Sequence, residues 1–304
     1  MKIKNANKSL GLKVLFPLMY ASTLVLTVLR CLQLAKFIDS ETGFFTGGTA
    51  VNVIFYGIIA VVCLVMVVIS FLSHEAKFQE LSGLKDKGAA VGAAVFGTGL
   101  VYDCLASLVK GLSLLTNITY TSFEPVEKFK NLMSTGTLPY ALQGIFAFIS
   151  AVYIFTLAKS FSKGTSAAHN RKLIALAPIA WAGFKLITRF VKQISYIRVS
   201  DLFLELVMLA FMILFFVSLA QVVSGVYCED SRWRIIALGL SSAMISLCIN
   251  IPRFIFTFFA SEFLNKEYPF NLGDTMFAVF AVFVALAAYA SVKEHSSAED
   301  NTQN

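Results

Sequence analysis

The feature that most constrains this chain is a series of eight apolar segments, each close to the length that crosses a bilayer. They occupy 14–33, 51–72, 89–115, 139–158, 173–193, 202–223, 235–259 and 275–292. A hydrocarbon core of about 30 Å takes roughly 20 helical residues, because lipid offers no partner to an unsatisfied backbone amide. Composition points the same way: of 304 residues, 57% are hydrophobic and 14% are charged. A soluble domain carries about a quarter charged residues, so the apolar excess here must face lipid. The expected fold is all-α, a polytopic transmembrane helix bundle of about eight spans. Disordered and disulfide-scaffold classes are excluded by the same composition, and a soluble enzyme is disfavoured.

Orientation follows from where the 25 Lys and Arg residues fall. With the N-terminus inside, fourteen of them lie in cytoplasmic segments and five in outer ones, a strong positive-inside bias that places both termini in the cytoplasm. The expected setting is the plasma (cytoplasmic) membrane. The remaining six, Arg30, Lys110, Lys185, Arg189, Lys192 and Arg253, interrupt spans. The fifth segment is the weakest, since three of these cations fall in it. Removing it would reverse every later helix and put Arg232 and Arg234 outside, so it is kept. A Lys-rich start followed by an apolar stretch also opens a secretory signal, but this stretch is long and no small-x-small cleavage site follows. An uncleaved first helix is expected. The net charge of +7 needs no nucleic-acid partner, because basic loops beside anionic lipid explain it.

Residues 1–293 read as one membrane-embedded domain, with 1–165 and 166–293 as its two possible four-helix halves, and 294–304 as an unstructured polar cytoplasmic tail. Odd spans carry a cation near the outer end, at Arg30, Lys110, Arg189 and Arg253, while even spans are rich in Phe and aliphatic residues. That pattern suggests a helical hairpin repeated four times or a four-span unit repeated once, as in transporters built from parallel repeats. Independent cations that snorkel to lipid phosphates give the same pattern.

Polar residues of the odd spans fall on stripes at helical spacing: Tyr20, Thr23, Thr27 and Arg30; Asp103, Ser107 and Lys110; Lys185, Arg189 and Lys192 beside Trp181; Ser242, Ser246, Asn250, Arg253 and Thr257. A lone Arg, Lys or Asp at a helix centre costs about 2.5–3.5 kcal/mol on insertion scales, so these stripes should face one another or water. The expectation is a shared outward cavity in which Arg30, Lys110, Lys185, Arg189, Arg253 and Asn250 bind a ligand. Asp103, Glu205 and Asp274 then serve for ion pairing or coupling, with Glu205 the nearest candidate partner for Lys185 or Arg189 and Asp201 at the rim. Cations outnumber acids in that zone, which favours an anionic ligand.

In Ile249-Asn250-Ile251-Pro252-Arg253 the proline frees a carbonyl one turn earlier and permits a kink. Pro17 and Pro178 are expected in first helical turns. Gly88 and Gly92 have the spacing of close helix packing and lack the Lys-Ser/Thr ending of a phosphate loop. The three histidines are isolated and the five cysteines form no CxxC, so no metal or cofactor is expected. Asn117-Ile118-Thr119 is a glycosylation sequon on the outer side. No hydrolase or zinc-protease motif is present, and the chain is not expected to be an enzyme. The leading expectation is a transporter or channel-like permease for an anionic solute or lipid headgroup. The alternative is a non-transporting receptor-like or accessory subunit beside a membrane partner.

Overall fold

The computed structural model describes residues 2–41, 43–73, 85–116, 125–165, 172–191, 199–225, 231–265 and 268–302. The helices in chain order are α1 (Lys2–Leu32), α2 (Thr49–Leu72), α3 (Lys87–Thr116), α4 (Pro125–Ser134), α5 (Thr137–Lys163), α6 (Ala177–Val191), α7 (Val199–Val223), α8 (Ser231–Phe259) and α9 (Leu272–Thr302). One π-helical turn, Gln33–Phe37, extends α1, and a 3₁₀ turn, Ile174–Leu176, leads into α6. Seven of these helices (all but α4 and α6) are long and apolar enough to cross a membrane, and the chain is a multi-pass membrane protein.

The fifth apolar segment forms a shorter element than its length implied, since α6 has 15 residues, about 22 Å at 1.5 Å per residue. It nevertheless runs along the bundle, antiparallel to its neighbours. Near its start the Trp181 ring meets Phe216 in the second half of α7, at 6.4 Å between centroids. Near its end Arg189 meets Glu205 in the second turn of α7. Phe184 stacks on Phe146 of α5, and Thr188 reaches Gln143 one turn earlier in that helix.

Six helices close a ring in the order α8, α9, α3, α5, α6, α7 and back to α8. Its interior is filled by aromatic side chains: Phe96 from α3, Trp181 from α6, Phe215 and Phe216 from α7, and Phe277 and Phe280 from α9, all buried. Phe96 stacks on Phe280 and Phe216 and meets Phe277 and Trp181 edge-on. Edge and offset contacts of this kind add to the packing that drives helix association in lipid. The α1–α2 hairpin lies outside the ring, against α8, which is the most buried of the apolar helices. Helices from both expected halves therefore share one core, with α3 packed on α9 and α5 on α6.

Small residues let these helices approach. Gly88 and Gly92 lie against Phe283 of α9, Gly99 against Met276, and Gly97 against Phe155 of α5. Large apolar side chains such as Val53, Val61, Leu64, Leu105, Val109 and Leu112 stay exposed on α2 and α3, as lipid contact requires.

Three local expectations change. The polar connection before the fourth span contains α4, opened by Pro125 and carrying Val126, Phe129 and Met133 at helical spacing on one face. Pro17 lies inside α1 rather than in a first turn, because that helix starts back at Lys2. The segment from Glu294 continues α9 as far as Thr302 instead of forming an unstructured tail.

Candidate functional site

Helices α1, α3, α6 and α8 finish at one end of the bundle, and there the interrupting charges meet. Five of them form a chain of ion pairs across α1, α7, α8 and α6. Arg30 donates from Nη2 to Asp201 Oδ1, and Arg253 donates from Nη2 to the same oxygen at 3.2 Å. Arg253 Nη1 donates to Glu205 Oε1 at 2.6 Å, and Arg189 Nε lies 2.8 Å from Glu205 Oε2. The Tyr268 ring faces both the Arg189 and the Arg253 guanidinium, each 5.6 Å from its centroid.

The remaining three charges form a second arm. Lys185 donates from Nζ to Asp274 Oδ1 at 2.5 Å and lies 3.7 Å from Asp103 Oδ2. Asp103 Oδ2 also accepts from Trp181 Nε1 at 2.9 Å, and the Lys185 ammonium sits 5.1 Å from the centroid of that Trp181 ring. Gln143 Nε2 approaches Asp103 Oδ2 at 3.5 Å while its Oε1 accepts from Thr188 Oγ1 at 3.2 Å. Trp181 thus joins the charged layer to the aromatic core through one side chain, its N–H in the first and its ring in the second.

Burial is nearly complete. Arg30, Asp103, Lys185, Asp201, Glu205, Arg253 and Asp274 are each at most 5% exposed. Arg189 is the wettest member, with its side chain 16% exposed. Groups buried this deeply remain charged only when each has a partner within hydrogen-bonding reach, which the two arms supply.

Several assignments made from sequence meet in this network. Arg30, Lys185, Arg189, Arg253, Asp103, Glu205 and Asp274 all belong to it, and Glu205 pairs with Arg189 as its place just after that helix implied. Lys110 does not belong: its side chain is exposed and its ammonium lies 5.1 Å from the Tyr140 ring. Asn250 is not part of it either. Its Nδ2 donates to the Ser246 carbonyl at 3.0 Å, and its Oδ1 accepts from the Asn271 backbone at 3.2 Å, tying α8 to the start of α9. Ser246 adds to that junction by donating to the Asp274 carbonyl at 2.8 Å.

The expected surplus of cations is absent from the described network. Among the described residues Lys110 makes no ion pair, and Asp201 lies inside, not at the rim, which leaves four cations facing four carboxylates. Lys192, His74, His169, Cys228 and the Asn117 sequon lie outside the described residues. Among the described residues, no three His, Cys, Asp or Glu side chains group to hold a metal ion.

Residues not foreseen as members are neutral amides. Gln33, in the π-helical turn, accepts from Arg30 Nη1 at 3.1 Å and donates to Asn52 of α2 at 3.0 Å. Together with Gln143 they give each helix that returns from this end a polar residue in its first two turns: Asn52, Gln143, Asp201 with Glu205, and Asp274. A neutral amide carries a smaller desolvation penalty than a charge and stands out less in an apolar stretch.

Fold and site together define a multi-pass helical membrane protein with a buried, charge-paired layer at one end of an aromatic-filled ring. Compared with protein-family models, curated proteins and solved structures, the chain has no match.

Proposed function

We propose that the chain is a transporter, a non-enzymatic permease of the plasma membrane, whose charged layer is the site for a solute or lipid headgroup bearing an acidic group. The observation that carries this reading is the burial of eight mutually paired ionisable side chains from six helices at one end of the bundle. Such pairs are a poor way to gain stability, since apolar replacements of similar volume are often as good or better. Ionisable groups inside a bilayer mark functional sites by default. Three of the four cations are arginines, whose planar fork matches carboxylate and phosphate.

With both termini cytoplasmic, the layer lies toward the outer face, and the Phe96–Phe280 cluster closes the path beneath it. An incoming acidic group takes the place of Glu205 or Asp201 on the arginines, and the released carboxylate changes partner. Pro252, beside Arg253, removes a backbone hydrogen bond inside α8 and gives that helix a point at which to bend. Uptake into proteoliposomes from a panel of organic and inorganic anions and neutral amino acids tests the reading. Flux that falls in Arg189→Ala is expected. No flux with any member of the panel, and none altered by that substitution, overturns it.

A receptor-like or accessory role has one observation of its own. The α1–α2 hairpin packs outside the ring and presents an apolar face that another membrane subunit would cover. Co-purification of a stoichiometric membrane partner, with no flux by this chain alone, is the result that favours it.

A further inference from the structure

We infer that the solute this site accepts is a zwitterion of amino-acid type, carrying an ammonium as well as a carboxylate. The inference rests on the transport reading above and names its substrate class. It starts from how the charges divide. The arm of Arg30, Asp201, Arg253, Glu205 and Arg189 holds three cations and two carboxylates. The arm of Lys185, Asp103 and Asp274 holds one cation and two carboxylates. Among the described residues one arm is therefore one charge positive and the other one charge negative. A singly charged anion added to this layer leaves it with an uncompensated charge in a medium of low dielectric, and a cation does the same with the opposite sign. A zwitterion adds none.

The spacing suits a compact molecule. Lys185 and Arg189, one from each arm, are four residues apart on α6, a rise of about 6 Å.

The protein's own side chains already occupy both halves of such a site. The Lys185 ammonium is held by Asp274 at 2.5 Å, with Asp103 at 3.7 Å and the Trp181 ring beneath it at 5.1 Å. Two carboxylates and an indole face are what a free ammonium requires. The Glu205 carboxylate is held between Arg253 at 2.6 Å and Arg189 at 2.8 Å, with Tyr268 against both guanidiniums. Lys185 and Glu205 are thus tethered mimics of the two ends of one amino acid. When the solute takes both places, its carboxylate sits on the two arginines and its ammonium on the two aspartates. Lys185 and Glu205, released on the adjoining helices α6 and α7, then neutralise each other, so no charge is left without a partner.

The test is ligand binding rather than flux, so that it separates this inference from transport itself. Purified full-length protein in lipid nanodiscs is titrated with neutral L-amino acids, with propionate and with ethylamine, following thermal stabilisation and Trp fluorescence. The expected result is saturable stabilisation by at least one amino acid, with propionate and ethylamine each weaker by about tenfold or more, the loss of one charge-assisted contact. Asp274→Asn should weaken the amino acid by a similar factor and strengthen propionate, because the variant layer is left one charge positive. Should that variant fail to fold, the wild-type comparison of the three probes decides alone. Propionate binding as tightly as every amino acid overturns the zwitterion and leaves an acid-binding permease standing. No response to any amino acid overturns the inference as well, and the anion flux assay then judges the transport reading separately.

Discussion

Glu205 is the residue on which the arginine-rich arm turns, and Glu205→Leu is its most informative perturbation. The carboxylate bridges Arg253 at 2.6 Å and Arg189 at 2.8 Å. At an effective dielectric constant near 20 each contact has a Coulomb energy of about 6 kcal/mol, most of it offset by desolvation. Substitution does not strand both cations equally. Arg253 keeps Asp201 at 3.2 Å, whereas Arg189 keeps the Tyr268 ring and the water that its 16% exposure admits. Breaking one partner from a buried pair typically costs 3–5 kcal/mol, and about that loss is expected here. The pair should be removable as a unit: Glu205→Leu with Arg189→Leu should return to within about 1–2 kcal/mol of the parent, because no charge is then left unmatched. Glu205→Leu with Arg253→Leu should recover less, since it leaves Arg189 stranded. Unfolding by SDS in mixed micelles, followed by Trp fluorescence, measures these proteins and the Arg189→Leu and Arg253→Leu single variants, and the two double-mutant cycles isolate the couplings. Trp181 is a suitable reporter, being fully buried between the two layers. A loss below about 1 kcal/mol in Glu205→Leu, or no recovery in the Arg189 double variant, refutes the reasoning.

Other substitutions separate the layers of the structure. Trp181→Phe keeps a ring against Phe96 and Phe216 but withdraws the indole N–H from Asp103, and should cost about 1–3 kcal/mol in SDS unfolding followed by circular dichroism, since the fluorescent reporter is removed. Asn250→Ala loses two hydrogen bonds at the α8–α9 junction and should cost about 1–2 kcal/mol, read as a lowered unfolding midpoint. Gly97→Val places a Cβ within 2.8 Å of the Phe155 ring, and overpacking of about 1–3 kcal/mol should lower the yield of folded protein on size-exclusion chromatography. Lys110→Ala should change stability by less than about 0.5 kcal/mol and leave binding and flux at parental levels, because Lys110 lies outside the paired layer.

Much of this architecture could be read in the chain because two signals are periodic and expensive to violate. Apolar length placed α2 and α8 within a few residues of their observed ends, at Thr49–Leu72 and Ser231–Phe259. Helical spacing put Arg30, Asp103, Lys185 and Arg253 on inward faces, since any other orientation exposes a charge to hydrocarbon. The unforeseen parts lack such a penalty. Asn52, Gln33 and Gln143 carry no charge, so their convergence on the ionic layer is visible only once the helices are in place. Asp201 sits at the boundary of its span, where sequence cannot distinguish a rim from an interior. Helix α4 is a single amphipathic face beside the bundle, too short to register as an apolar run. The charge parity of the layer depends on which cations find a carboxylate, and among the described residues Lys110 does not.

The pairing of residues far apart in sequence sets an order of events during synthesis. Arg30 and Asp201 are 171 residues apart. At 5–20 residues per second that interval is about 10–35 s. Asp103 waits in the same way for Lys185, and Lys185 for Asp274. The first helices therefore enter the membrane carrying charges whose partners do not yet exist. Those charges must stay near the headgroups or in water until α6 to α9 arrive. The paired layer is consequently the last part of the molecule to be built, and its closure by the final hairpin marks the point at which a nascent chain becomes a committed bundle.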